Sequence, residues 1–167
     1  MPLDDAQMRL ATELGRRLVV RGWRVSTAES CTGGLVAGAI TAIAGSSDWF
    51  ERGFVTYSNA AKNEMLGVPA ELIDKHGAVS ETVAAAMAAG ALANSAADCA
   101  VAVTGVAGPG GGTVAKPVGM VCFGWIARGR PPRTATLHFP GNRAAVRDAS
   151  VEASLSGLLQ LVGEVAL

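Results

Sequence analysis

The run Cys99–Val103, CAVAV, carries no polar side chain at any of its positions. A strand with one face in water alternates apolar and polar residues. A run that is apolar throughout is the pattern of a strand covered on both faces. The chain around it must therefore provide packing on two sides, and it does so with helices.

Asp4 or Asp5 can cap a first helix reaching about Arg21, with Met8, Leu10, Ala11, Leu14 and Leu18 on one face and Gly22 as its stop. WRVSTA, from Trp23, reads as a strand. Thr32 to about Ala44 reads as a helix ended by Gly45, and GFVTYS, from Gly53, as a second strand. Ser58 or Asn59 can cap a helix running to Gly67, and Pro69–Lys75 forms a short helix closed by Gly77. Ser80 caps a long alanine-rich helix with Glu81 in its first turn, where a carboxylate complements the helix dipole. After CAVAV come a glycine-rich loop, TGVAGPGGGTVAKPVG, the strand MVCFGWIA, the turn GRPPR and the strand TATLHF. A last helix spans about Arg143 to Leu161. Strands alternating with helices specify an α/β sandwich, mostly parallel, with the last two strands antiparallel because a short turn joins them. No repeat or linker divides the 167 residues, so one domain, 1–167, is expected.

Fourteen basic and fourteen acidic residues cancel. That balance argues against a general nucleic-acid or membrane-surface binder, which carries a basic excess, yet leaves room for a local anion pocket. Three cysteines without CxxC spacing, Cys31, Cys99 and Cys122, read as reduced thiols of a cytoplasmic protein. His76 and His138 have no ligand-spaced partners, so no metal is expected. The polar N-terminus is no signal peptide, and GLVAGAITAIAG is too short to span a membrane.

In open α/β sheets ligands sit beyond the carboxyl ends of the strands. Three polar or glycine-rich segments fall there: AESCTGG, TYSNAAK and TGVAGPGGG. Ser30 lies where a strand turns into a helix. It can cap that helix, or it can be a nucleophile beside unpaired amides at Cys31, Thr32 and Gly33, an oxyanion site. Cys31 is either a rival nucleophile or a small buried thiol. Glu29 can orient a base or substrate, or complement the helix N-terminus. A serine nucleophile needs a base, and no histidine is at hand. Lys62 can serve if burial lowers its pKa. Asn59 shares a helix face with Lys62, and Tyr57 can relay a proton or orient the lysine. The glycine loop lacks the Gly-Lys-Ser/Thr ending of a phosphate loop and leads into a strand. Its glycines would instead let amides approach a ligand, with Thr104 and Gly105 nearest. Lys116, Arg143 and Arg147 can supply positive charge to a phosphate, or can be solvated surface residues.

Taken in order, AESCTGG, FERGFVTYSNAAK, GAVSE, TGVAGPGGG...KPVG and GNRAAVR resemble the CinA C-terminal domain family, over about residues 5–160. The resemblance implies a three-layer α/β/α sandwich with a mixed sheet. It implies hydrolysis of the carboxamide of nicotinamide mononucleotide to nicotinate mononucleotide and ammonia, without metal or cofactor. Ser30 falls on the family's nucleophile, Lys62 and Tyr57 on its lysine and tyrosine, and Thr104, Gly105 and Arg143 on substrate contacts. GTVAKPVG departs from the more polar stretch usual before the lysine, at Thr113 to Ala115. Longer relatives carry an N-terminal domain with pyrophosphatase-type activity, expected to be absent here, where only one helix precedes the first strand. The expected partner is the small-molecule substrate, with no nucleic acid and no membrane. A homodimer is the assembly to expect, although no residue pattern specifies it. The rival reading is a nucleotide-binding or competence-related module that keeps the fold and turns nothing over. An amidase acting on another amide is a second alternative.

Overall fold

The computed structural model describes residues 2–164. In chain order the elements are α1 Asp5–Arg21, β1 Val25–Glu29, α2 Leu35–Thr41, β2 Phe50–Val55, α3 Asn59–Leu66, α4 Ala70–His76, α5 Glu81–Ala93, β3 Cys99–Gly105, β4 Met120–Ala127, β5 Arg133–His138 and α6 Arg143–Glu164. A short 3-10 turn, Ser46–Asp48, precedes β2. Side-chain oxygens of Asp4, Ser58 and Ser80 accept amide hydrogens from Gln7, Ala61 and Val83, so the caps of α1, α3 and α5 are built by residues of the expected kind.

The sheet order is β2-β1-β3-β4-β5. β1 pairs in parallel with β2 and β3, while β4 is antiparallel to both β3 and β5. Four strands therefore run one way and β4 alone runs back. Helices cover both faces, so the fold is a three-layer α/β/α sandwich with a mixed sheet. Every residue of β1 is buried, and in β3 only Gly105 is less than buried, as a doubly covered strand requires.

The two cores differ in their side chains. On one face Val25, Val101, Val103, Phe123 and Trp125 pack with Leu14 and Leu18 of α1, Ile40 of α2 and Leu155 of α6. Phe123 and Trp125 stack with ring centroids 5.3 Å apart, and the indole N–H donates to the Ser154 carbonyl at 3.1 Å. On the other face the sheet presents Ala28, Ala100, Ala102 and Ile126 to α3, α4 and α5. Small side chains there bring backbones together. A Cβ added at Gly124 would come 2.6 Å from the Ala84 carbonyl oxygen of α5, and one at Gly90 would come 2.1 Å from the Leu66 carbonyl oxygen of α3. Only glycine fits either contact.

Some boundaries move. α2 starts at Leu35 instead of Thr32, because Gly33 and Gly34 take φ of 58° and 104°, which a right-handed helix excludes. β2 runs Phe50–Val55 instead of starting at Gly53, since it pairs with β1 from Val25 to Glu29 and leaves the sheet where β1 ends.

Candidate active site

β1 and β3 end side by side, and a cleft of about 310 Å³ opens beyond them. Ser30 and Cys31 line it from the turn after β1, and Tyr57, Asn59 and Lys62 from the segment after β2. Thr104 and Gly105 line it from the end of β3, and Arg143 from the start of α6. Glu29, Thr32 and Gly33 do not line it.

Ser30 sits at the floor, 8% exposed, and its N–H continues the sheet by donating to the Val103 carbonyl at 3.0 Å. Lys62 enters from the first turn of α3 and is 1% exposed. Its Nζ lies 3.0 Å from Ser30 Oγ, 3.0 Å from the Thr56 carbonyl oxygen and 3.2 Å from that of Tyr57. Burial pushes the Lys62 pKa down, because removing the ammonium from water disfavours its charged form. The two carbonyls are available because β2 ends at Val55 and the chain turns there. A main-chain contact of this sort has no signature in residue type, and sequence reasoning missed it.

Burial moves Cys31 the other way. Its thiol, 6% exposed, is pushed up to about 11, mainly by desolvation, with the Glu29 charge adding to it and Arg147 and Lys62 opposing. A thiol held protonated at neutral pH is a poor nucleophile.

Glu29 is 1% exposed and faces away from the cleft. Its carboxylate accepts the Thr32 hydroxyl at 2.6 Å, the Val36 N–H at 2.8 Å and the Ala37 N–H at 3.0 Å. It satisfies the first amides of α2 through its side chain, across seven and eight residues. Of the two uses open to Glu29, the structure shows the helix-terminus one. Thr32 is held in this clamp and does not line the cleft. The expected row of three oxyanion amides also shortens. The Gly33 N–H donates to the Ser30 carbonyl at 3.0 Å, and Thr32 is fully buried off the cleft. The Cys31 N–H is left without a backbone acceptor among the described residues, on a residue that lines the cleft, and it acts on its own sulfur against the rise in the thiol pKa.

Tyr57 is 61% exposed and its ring stands at the rim. Its hydroxyl accepts from Arg143 Nη2 at 3.2 Å, while Arg143 Nη1 donates to the Gly108 carbonyl at 2.8 Å. The hydroxyl therefore belongs to the arginine, and Lys62 is oriented by the tyrosine's carbonyl. Thr104, 1% exposed, donates to the Ala78 carbonyl at 2.8 Å and so anchors the Ala78–Val79 wall of the cleft. Gly105 also meets a constraint that its place beside the glycine loop does not reveal. A Cβ there would come 2.8 Å from Val121 Cγ2 of β4, so the close approach is to the neighbouring strand. Lys116 donates to the His76 carbonyl at 2.6 Å and caps the C-terminus of α4, away from the cleft lining. Among the described residues no group of three His, Cys, Asp or Glu gathers as a metal ligand set, and no helix is long and apolar enough to cross a membrane.

Fold and cleft together define an α/β protein with a small-molecule site on the carboxyl edge of its sheet, floored by a buried serine–lysine pair. Residues 7–162 match the model of the CinA C-terminal domain, and the chain belongs to that family. It is 53% identical over 151 residues to the nicotinamide-nucleotide amidohydrolase PncC of Enterobacter agglomerans, covering 90% of this chain and 92% of that protein. It is 51% identical over 157 residues to the protein of the same name from Escherichia coli K12, covering 94% and 95%. The crystal structure of the competence/damage inducible protein CihA from Agrobacterium tumefaciens matches with a TM-score of 0.94 at 46% identity, over 96% of this chain and 98% of that one.

Proposed function

We propose that this chain hydrolyses the carboxamide of nicotinamide mononucleotide to nicotinate mononucleotide and ammonia, with Ser30 as nucleophile and Lys62 as base. The observation that carries the reading is a lysine amine, fully buried and 3.0 Å from a serine hydroxyl, with no carboxylate among its hydrogen-bond partners. Burial favours the neutral amine, which has two N–H groups and one lone pair. Nζ is within donating distance of the Thr56 and Tyr57 carbonyls and of Ser30 Oγ, and the Ser30 hydroxyl donates to the Tyr57 carbonyl at 3.4 Å. In the neutral amine the two carbonyls take the two N–H groups and the lone pair is left for the Ser30 proton.

Lys62 takes the Ser30 proton as Oγ attacks the carboxamide carbon. The Cys31 N–H donates to the oxyanion, a contact worth about 3 kcal/mol in sites of this type. Lys62 returns its proton to the departing nitrogen, and ammonia leaves an acyl ester on Ser30. Water, deprotonated by Lys62, attacks that ester and releases the carboxylate product. At the rim, Arg143 holds the nucleotide phosphate and the Tyr57 ring borders the entrance. The names of the PncC relatives support the substrate. A module that only bound nucleotides would gain nothing from a buried amine against a serine.

The test is ammonia release from nicotinamide mononucleotide by purified wild type and Ser30→Ala. Turnover by the wild type and none by the folded variant is expected. Equal rates, or no release by either, would overturn the assignment.

A further inference from the structure

We propose that Arg147 is a positioning residue for the nucleophile turn, gripping the Thr32–Gly33 peptide from the α6 side so that the turn carrying Ser30 and Cys31 keeps its shape. The proposal rests on the reading of Ser30 as nucleophile. Arg147 follows Arg143 by four residues on α6, so one helix face offers Arg143 to the rim and Arg147 to the turn. Arg147 Nη2 donates to the Thr32 carbonyl at 3.4 Å. The same carbonyl accepts the Leu35 N–H at 3.0 Å, so the guanidinium holds the peptide that joins the turn to α2. The guanidinium lies directly against this peptide: a Cβ built at Gly33 would stand 3.5 Å from Nη2, an ordinary contact, and it is the φ of 58° that favours glycine there.

Two further observations separate Arg147 from an ordinary surface arginine. Its Nε is buried and has no hydrogen-bond partner. The salt bridges among the described residues belong to other arginines, so Arg147 makes no direct ion pair there. Half-burying a cation without an acid works against stability. Its field instead falls on the turn, where it opposes the upward push on the Cys31 thiol. Glu29 fixes the turn from the sheet side, and Arg147 fixes it from the helix side.

Arg147→Met keeps a comparable stem and removes both donors and charge, Arg147→Gln keeps a shorter donor, and Arg147→Lys keeps charge without the planar fork. Each is read by steady-state turnover of nicotinamide mononucleotide and by amide hydrogen exchange of the substrate-free protein. In Arg147→Met, kcat should fall about tenfold or more, as a loosened catalytic geometry implies, with KM within about twofold. Exchange should rise at residues 31–35 while β1 and β3 stay protected. Arg147→Lys should recover less than half of the loss. Unchanged exchange at the turn overturns the proposal whatever the kinetics show. So does a raised KM with intact kcat, or full recovery in Arg147→Lys. Should Arg147→Met fail to fold, Arg147→Gln carries the same comparison. Should the wild type release no ammonia, the proposed function falls, and the exchange measurement still decides the role of Arg147.

Discussion

The floor and the rim of the cleft are built on opposite principles. At the floor, Ser30 and Lys62 are buried, and main-chain carbonyls from the end of β2 hold the lysine. At the rim, Tyr57 and Arg143 are exposed and hold each other through one hydrogen bond of 3.2 Å. Buried groups fixed by backbone cannot adjust to a ligand, whereas exposed side chains on a loop and a helix end can. The floor is suited to moving protons between atoms of fixed separation, and the rim to gripping a nucleotide that comes and goes. On this division, substitutions of Ser30 and Lys62 act on kcat and rim substitutions on KM.

The largest effect should come from Lys62→Arg, a loss in kcat of about a thousandfold or more, since a guanidinium stays protonated and cannot accept the serine proton. In the wild type, activity should rise with pH as Lys62 loses its proton, with a midpoint below the ordinary lysine value because burial lowers it. The sign also holds for stability. Folded Lys62 sheds its proton at lower pH than the unfolded chain does. The unfolded state therefore binds more protons between the two values, and stability rises with pH across that window. Lys62→Met should lose that slope in thermal scans. A near-normal rate for Lys62→Arg would remove the floor's chemical role.

Arg143→Ala should act next, raising KM for the nucleotide about tenfold or more, the size of a lost charge-assisted hydrogen bond, with little change for the nucleoside lacking phosphate. An equal rise for both substrates would break the assignment of Arg143 to the phosphate. Tyr57→Phe should cost only severalfold, in KM, because the Lys62 partner is a carbonyl that the substitution leaves in place. A kcat collapse there would return the hydroxyl to the proton path. The smallest effect belongs to Cys31→Ala, beside the floor, which should keep most activity because the thiol is protonated at neutral pH and the N–H survives the change. Loss of turnover in that variant with normal folding would make Cys31 the nucleophile.

Local chemistry made much of this legible in the sequence. CAVAV specified a doubly covered strand, and Ser58 and Ser80 marked helix starts that the structure places at those caps. Residue type and strand-end position point to Ser30, Lys62 and Tyr57, the family resemblance adds Arg143, and the fold brings all four to one cleft. What escaped depends on contacts that side-chain identity does not encode. Glu29 caps α2 across the whole turn, so the helix start inferred from Thr32 was three residues early. Tyr57, expected to meet Lys62 through its hydroxyl, touches the lysine through its backbone carbonyl. Gly105 lines the cleft, and it carries a further constraint from β4, a partner assigned only once the sheet order is known.

Gly90 lies in the middle of α5, outside the cleft lining, pressed against the carbonyl of Leu66. Leu66 is one helical turn after Lys62 on α3. A methyl group at Gly90 has nowhere to go unless α3 retreats, and the lysine would retreat with it. A shift of about 1 Å in a reacting pair is enough to cost about a hundredfold in rate. The depth at which the amine sits beneath the serine is thus gauged from the far side of α3, by a hydrogen atom where every other amino acid has carbon. Tolerance to substitution in this protein will not fall off smoothly with distance from the cleft.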